Sequence, residues 1–205
     1  MAPVTVDPAK VQEFVDFDGF YAWLAENHDS ADEIWIKIHK KGSGRPTITP
    51  VEAIDAALCW GWIDAIRKGF DAHSFLQRYT RRGKKSIWSR VNVDNVERLI
   101  ADGKMTAHGL KHVDAAKTDG RWDKAYGTTA ESMPLPQALL DAIAADPAAR
   151  ATYDSLTAQN RFALAFRIHN LKTEAGRTKR IAAFVEMLKR GETIYPQKAR
   201  PQDPS

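Results

Sequence analysis

Residues 49–81, TPVEAIDAALCWGWIDAIRKGFDAHSFLQRYTR, hold the local signals that decide the fold. Thr49 and Glu52 have the spacing of a capping box, and Pro50 occupies the first helical position, so a helix is predicted from residue 50 to about residue 60. Gly61 then supplies a stop. Beyond it, residues 63–68 and 75–81 have the composition and two-residue period of strands, and the turn-rich segment 69–74 joins them. The expectation is an antiparallel hairpin packed on the capped helix. In the second strand Phe75, Gln77 and Tyr79 share one face while Leu76, Arg78 and Thr80 share the other, so cationic side chains project from a sheet.

Working outward from this unit, Asp18 is placed to cap a helix carrying Phe20, Trp23 and Leu24 at helical spacing and ending near Asn27. Residues 34–40, IWIKIHK, alternate as a strand with one buried face. Downstream, Arg82-Gly83-Lys84-Lys85 is too polar to bury and is read as an exposed loop. It leads into helices over 88–101, stopped by Gly103, and over 107–117 behind Thr106. The stretch 118–136 reads as a connector. All that follows is helical: 136–145, 148–156, 158–169 behind Thr157, and 174–190, whose Ile181, Phe184, Val185 and Leu188 line one face. The predicted architecture is α+β. A small antiparallel sheet packs with helices over residues 14–117, a connector spans 118–136, an all-helical domain covers 137–192, and 193–205 form a disordered proline-rich tail.

The 205 residues are 43% hydrophobic and 27% charged, with a formal net charge of +4. That is an ordinary globular balance, so any electrostatic role must come from local clustering. The single cysteine, Cys59, excludes an internal disulfide and a cysteine-rich zinc site and agrees with a reducing compartment, the cytoplasm by default. The N-terminal residues lack the cationic start and apolar run of a secretory signal, and no apolar stretch approaches a membrane span.

The clustering is at 67–90, where eight Lys or Arg face one acid, Asp71, among six aromatics between Trp60 and Trp88. One reading is a surface on which Arg78, Arg81, Arg82, Lys84 and Lys85 meet phosphates or carboxylates while an exposed ring from Trp62, Tyr79 or Trp88 offers a stacking face. The other is a solvated charged face over an aromatic core, since burying one ring stabilises by roughly 2 kcal/mol. Asp64 is either a general base or the partner of a neighbouring arginine. Cys59, at a helix end where the dipole raises rather than lowers its pKa, reads as an inert buried thiol. His108 and His112 have a metal-compatible spacing of four but lack the intervening glutamate of the zinc-protease motif, and no third ligand is evident, so no metal is assigned. No phosphate loop, nucleophile elbow or dinucleotide fingerprint occurs, and no cofactor is expected.

Three segments in order resemble a known bacterial family: Ala57-Leu58-Cys59-Trp60-Gly61-Trp62-Ile63-Asp64, then Gln77-Arg78-Tyr79-Thr80-Arg81-Arg82, then Trp88-Ser89 with Gly103-Lys104-Met105-Thr106. Over about residues 14–192 the chain is similar to the YdeI/OmpD-associated proteins. The resemblance implies an N-terminal region similar to the YjbR/CyaY-like α+β class and a C-terminal helical domain bearing the bacteriocin-protection label, with no catalytic activity attached. Arg81 departs from the family's usual Thr-Pro-Arg, and Phe166-Arg167-Ile168-His169 stands where an aromatic Trp-Ile pair is typical. Three functions are in play. They are a non-enzymatic module that recognises an anionic ligand or polyanion through the basic stretch, a protein-interaction or stress-adaptor role of the C-terminal helices, and an enzyme on a small acidic substrate with Asp64 as base.

Overall fold

In a computed structural model of the chain, residues 4–127 and 133–197 are described. The chain divides into two compact units between Ala125 and Tyr126, within the stretch read as a connector.

The first unit is built on a four-stranded sheet of order β1-β2-β4-β3: β1 (Val11–Gln12), β2 (Glu33–His39), β3 (Trp62–Gly69) and β4 (Ser74–Arg81). The predicted hairpin is present. β3 and β4 pair antiparallel, with a register shift between Asp64 and Arg67, and β2 lies antiparallel on the other side of β4. The sheet carries one addition, the two-residue β1, which runs parallel to β2 and follows a single 3₁₀ turn at Pro8–Lys10. Neither has a period long enough to read.

Four helices belong to this unit: α1 (Phe17–Asn27), α2 (Pro50–Cys59), α3 (Arg90–Ala101) and α4 (Ala107–Thr118). The capping box forms as read: Thr49 Oγ1 accepts from Glu52 N at 3.2 Å, and Glu52 Oε2 accepts from Thr49 N at 2.8 Å. The cap of α1 is Asp16, whose Oδ1 accepts from Gly19 N; Asp18 instead lies in the first turn. Phe20, Leu24, Ile34, Ile36, Ile38, Ala53, Ala56, Trp62 and Tyr79 form one core between sheet and helices. A second joins α2 to α3 and α4 through Leu58, Trp88, Val93, Val96, Leu99, Val113 and Trp122. Between α2 and α3, Arg98 Nη2 donates to the Asp55 carboxylate at 2.6 Å.

β2 departs from the one-sided pattern read in IWIKIHK, because Trp35 and His39 are buried along with the isoleucines. The reason is a strap of chain that local periodicity does not reveal. Lys68 Nζ on β3 donates to the Val4 carbonyl at 2.6 Å, although β1, seven residues later, lies at the opposite edge of the sheet. Residues 4–10 therefore cross the second face. Glu13 closes its end, taking bonds from Lys37 Nζ at 2.9 Å and His39 Nε2 at 3.0 Å.

Two glycines fix the junction with α4. Gly61 has φ +69, the left-handed region, and a Cβ there would lie 2.3 Å from the His112 ring. At Gly109 a Cβ would sit 2.2 Å from the carbonyl oxygen of Cys59, so α4 rests on the bare backbone at the end of α2. Thr106 completes the contact: its Oγ1 donates to that carbonyl at 2.6 Å and accepts from Gly109 N at 3.0 Å.

The second unit contains α5 (Gln137–Ala144), α6 (Pro147–Ser155), α7 (Ala158–His169) and α8 (Glu174–Lys189). Asp146, Thr157 and Thr173 cap the last three, each cap contributing about 1 kcal/mol. Leu139, Ile143, Leu156, Leu164, Ile168, Phe184 and Leu188 form the core. Tyr195 and Gln197, assigned by composition to the tail, are hydrogen-bonded here. Buried Asn160 accepts from Tyr195 N at 2.9 Å and donates to Gln197 Oε1 at 2.7 Å. Residues 198–205 of the expected tail lie outside the described residues. Among the described residues no helix is long and apolar enough to cross a membrane.

Candidate functional site

β4 sorts the candidate residues by its alternation. Tyr79 points into the core, fully buried, with its hydroxyl making no hydrogen bond, and Asp64 is its register partner on β3. Arg78 lies on the other face, so the sheet separates it from Asp64 and Tyr79 rather than gathering the three. There it donates through Nε to Glu33 Oε2 at 2.6 Å, and Glu33 also takes Lys10 Nζ at 3.1 Å. Burial pushes the Glu33 carboxyl up, but the bonds from Lys10 and Arg78 outweigh it and hold the pKa below the ordinary value. Arg78 is thus committed to an ion pair across β2 and β4.

Arg81 donates through Nε to the Ala31 carbonyl at 2.8 Å and faces Asp32 at 3.3 Å. Arg82 departs from the exposed loop read for 82–85. Only 3% of its surface is accessible, its guanidinium carbon stands 3.7 Å from the centre of the Trp88 ring, and its Nη1 donates to the Ile87 carbonyl at 3.1 Å. An arginine spread over an indole buries its flat face without losing its charge. Trp88 meets Trp122 edge-on, with centroids 5.0 Å apart. Trp62 is also fully buried, with Nε1 donating to the His28 carbonyl. Trp62, Tyr79 and Trp88 are therefore core residues, and none of them offers a stacking face.

The loop between Arg82 and Trp88 is held from both ends. Gly83 N donates to Ser86 Oγ at 3.0 Å, Ser86 N to Gly83 O at 2.9 Å, and Arg121 Nη1 to the Ser86 carbonyl at 2.8 Å. Lys84 and Lys85 stand exposed on this loop, and Arg90 is exposed just beyond it. Arg121 is the neighbour that the sequence reading missed. It sits in the presumed connector, and the only local hint is its ion pair with Asp119 two residues earlier.

Asp64 lies on the edge strand with its surface open. The protein packed around it still pushes its carboxyl pKa up, with the charges of Arg82 and Arg67 pulling the other way. Cys59 is fully buried, and burial, followed by the negative charge of Asp55, pushes its thiol up to about 12. It is not a nucleophile at neutral pH.

Two family models match the chain. Residues 132–191 match one described as "Bacteriocin-protection, YdeI or OmpD-Associated", in agreement with the resemblance read there. Residues 12–112 match one described as "Domain of unknown function (DUF8412)", which gives the expected YjbR/CyaY-like assignment no support. No curated protein and no solved structure matches the chain.

Proposed function

We propose that the protein is a bacterial cytosolic binding module that recognises an anionic partner through the loop between Arg82 and Arg90. The observation that carries this reading is the contrast among its cations. Arg78 and Arg81 face Glu33 and Asp32, whereas Lys84 and Lys85 are exposed on a loop braced by the Arg82–Trp88 stack and by Arg121. A braced loop holds its lysines near the geometry of the complex, which lowers the ordering cost of binding. The buried rings remove base stacking from the account, so recognition is electrostatic and tolerant of sequence. The enzymatic reading loses support because Arg78 and Asp64 occupy different faces of the sheet.

Retention of the full chain on heparin or single-stranded DNA tests the proposal. Binding is expected at low salt and should fall steeply as salt rises, each phosphate contact adding roughly 0.7 to 0.9 to the logarithmic slope. K84E/K85E is expected to abolish retention with an unchanged far-ultraviolet circular dichroism spectrum. Absence of retention by the wild-type chain at low salt defeats the proposal. In that case a protein-interaction or stress-adaptor role of the C-terminal helices becomes the better reading. It is favoured by a cleft of about 390 Å³ lined by Tyr126, Phe162, Ala163, Phe166, Arg167 and Tyr195.

A further inference from the structure

The end of α1 and the start of α4 bring together three side chains that no sequence motif connects. His28, the C-cap of α1, is held from several directions. Its backbone N and its ring Nδ1 both lie about 3 Å from the Leu24 carbonyl, its own carbonyl accepts from Trp62 Nε1, and the Trp60 ring lies against it at 4.6 Å. Donation by Nδ1 to the Leu24 carbonyl fixes the tautomer and leaves Nε2 with a lone pair, as in metal-binding histidines, whose other ring nitrogen donates to a carbonyl or carboxylate. That Nε2 is 3.3 Å from Asp29 Oδ2, and Nδ1 of His108 is 3.8 Å from Asp29 Oδ1. One ligand atom from each of the three residues lies within 4.8 Å of the others. Four-coordinate zinc, with bonds of roughly 2.0–2.1 Å, sets neighbouring ligand atoms about 3.4 Å apart. The two edges that meet at Asp29 are already near this value, and the third, between the two imidazole nitrogens, is within 4.8 Å.

We infer that His28, Asp29 and His108 form a binding site for a divalent transition-metal ion of the zinc class, with at least one coordination position left to water or an anionic ligand. Two imidazoles and a carboxylate select such an ion over magnesium or calcium, which take mostly oxygen ligands. The negative end of the α1 dipole favours a cation at His28, while the start of α4 opposes it at His108. The carboxylate of Asp29 between them sets the balance. His112, the other half of the spacing-of-four pair, stays outside the set because its ring packs over Gly61.

The site is tested by stripping the full, tag-free chain with a chelator and titrating it with zinc against a chromophoric competitor. Cobalt(II) serves as a spectroscopic probe of coordination. One zinc per chain is expected. Losing an outer-shell partner weakens metal binding by roughly 10–100-fold, so removing a direct ligand in D29N or H108A should weaken it at least about 100-fold and abolish the cobalt visible spectrum. D29N changes an exposed side chain to its near-isostere and leaves the fold in place, and H112A is expected to retain zinc. The inference is overturned if the wild-type chain takes up no zinc, if D29N and H108A both keep wild-type affinity, or if H112A loses zinc as they do.

Discussion

Gly109→Ala tests how α4 is seated. The new methyl would lie 2.2 Å from the Cys59 carbonyl oxygen, and real Cβ atoms essentially never come closer than 3.0 Å, so α4 or the end of α2 must retreat by at least about 0.8 Å. That retreat stretches both bonds that Thr106 makes to the same carbonyl, from Oγ1 at 2.6 Å and from N at 3.2 Å. Each is worth about 1 kcal/mol. Overpacking adds a cost of about 1–3 kcal/mol, and alanine returns at most about 1 kcal/mol of helix propensity. The net expectation is a destabilisation of about 2–4 kcal/mol. All six tryptophans, at 23, 35, 60, 62, 88 and 122, lie in the first unit, so urea denaturation followed by tryptophan fluorescence reports on that unit alone. The midpoint should fall at unchanged slope. Gly69→Ala is the control, since its methyl would meet nothing within 4 Å and should shift stability by less than about 0.5 kcal/mol. An unchanged or raised midpoint for Gly109→Ala would refute the close backbone contact.

The remaining predictions concern titration and reactivity. Bonds from Lys37 and then His39 hold Glu13 below its ordinary value of 4.5, against the opposing effect of burial. A depressed carboxyl stabilises the folded state above the unfolded pKa and loses that contribution as pH falls through the folded one. The stability gap between the wild type and E13Q should therefore be full at neutral pH and close below about pH 4.5; urea midpoints that keep a constant gap through this range would contradict it. Cys59, fully buried with its thiol near 12, should react with a thiol reagent at neutral pH only on unfolding. Prompt stoichiometric labelling in native buffer would show that the end of α2 is open.

What the sequence revealed was what neighbouring residues decide among themselves. The capping box at Thr49, the caps Thr106 and Thr157, the stops at Gly61, Gly103 and Gly191, and the two-residue period of β4 are all local, and the elements they mark formed within one or two residues of expectation. The burial of Trp35 depends on residues 4–10 crossing the sheet, and two residues of β1 have no period to detect. Trp122 joined the core from a stretch whose polar composition reads as a connector, because a single tryptophan leaves no pattern. Arg82 reads as an exposed, candidate binding cation; its place over Trp88 depends on the path of the loop between them. The same limit applies to the histidines. His108 was visible as half of a helical pair, but its companions come from about eighty residues earlier in the chain, and the true grouping exists only after α1 and α4 have packed.

Among the described residues, the order β1-β2-β4-β3 leaves β3 with an open side. A flat, apolar edge of eight residues would template pairing with a strand from another molecule and so begin aggregation. β3 carries two defences against this. The register shift between Asp64 and Arg67 breaks the regular row of donors and acceptors midway, and Asp64, Arg67 and Lys68 place charges of both signs along the strand. At the other margin β1 is too short to recruit a partner. Ile66 is the weak point, an exposed apolar residue inside the irregular stretch. Neutralising Arg67 beside it would cost the concentrated protein its colloidal stability before it cost the monomer its fold, whereas Lys68 also anchors the strap through the Val4 carbonyl.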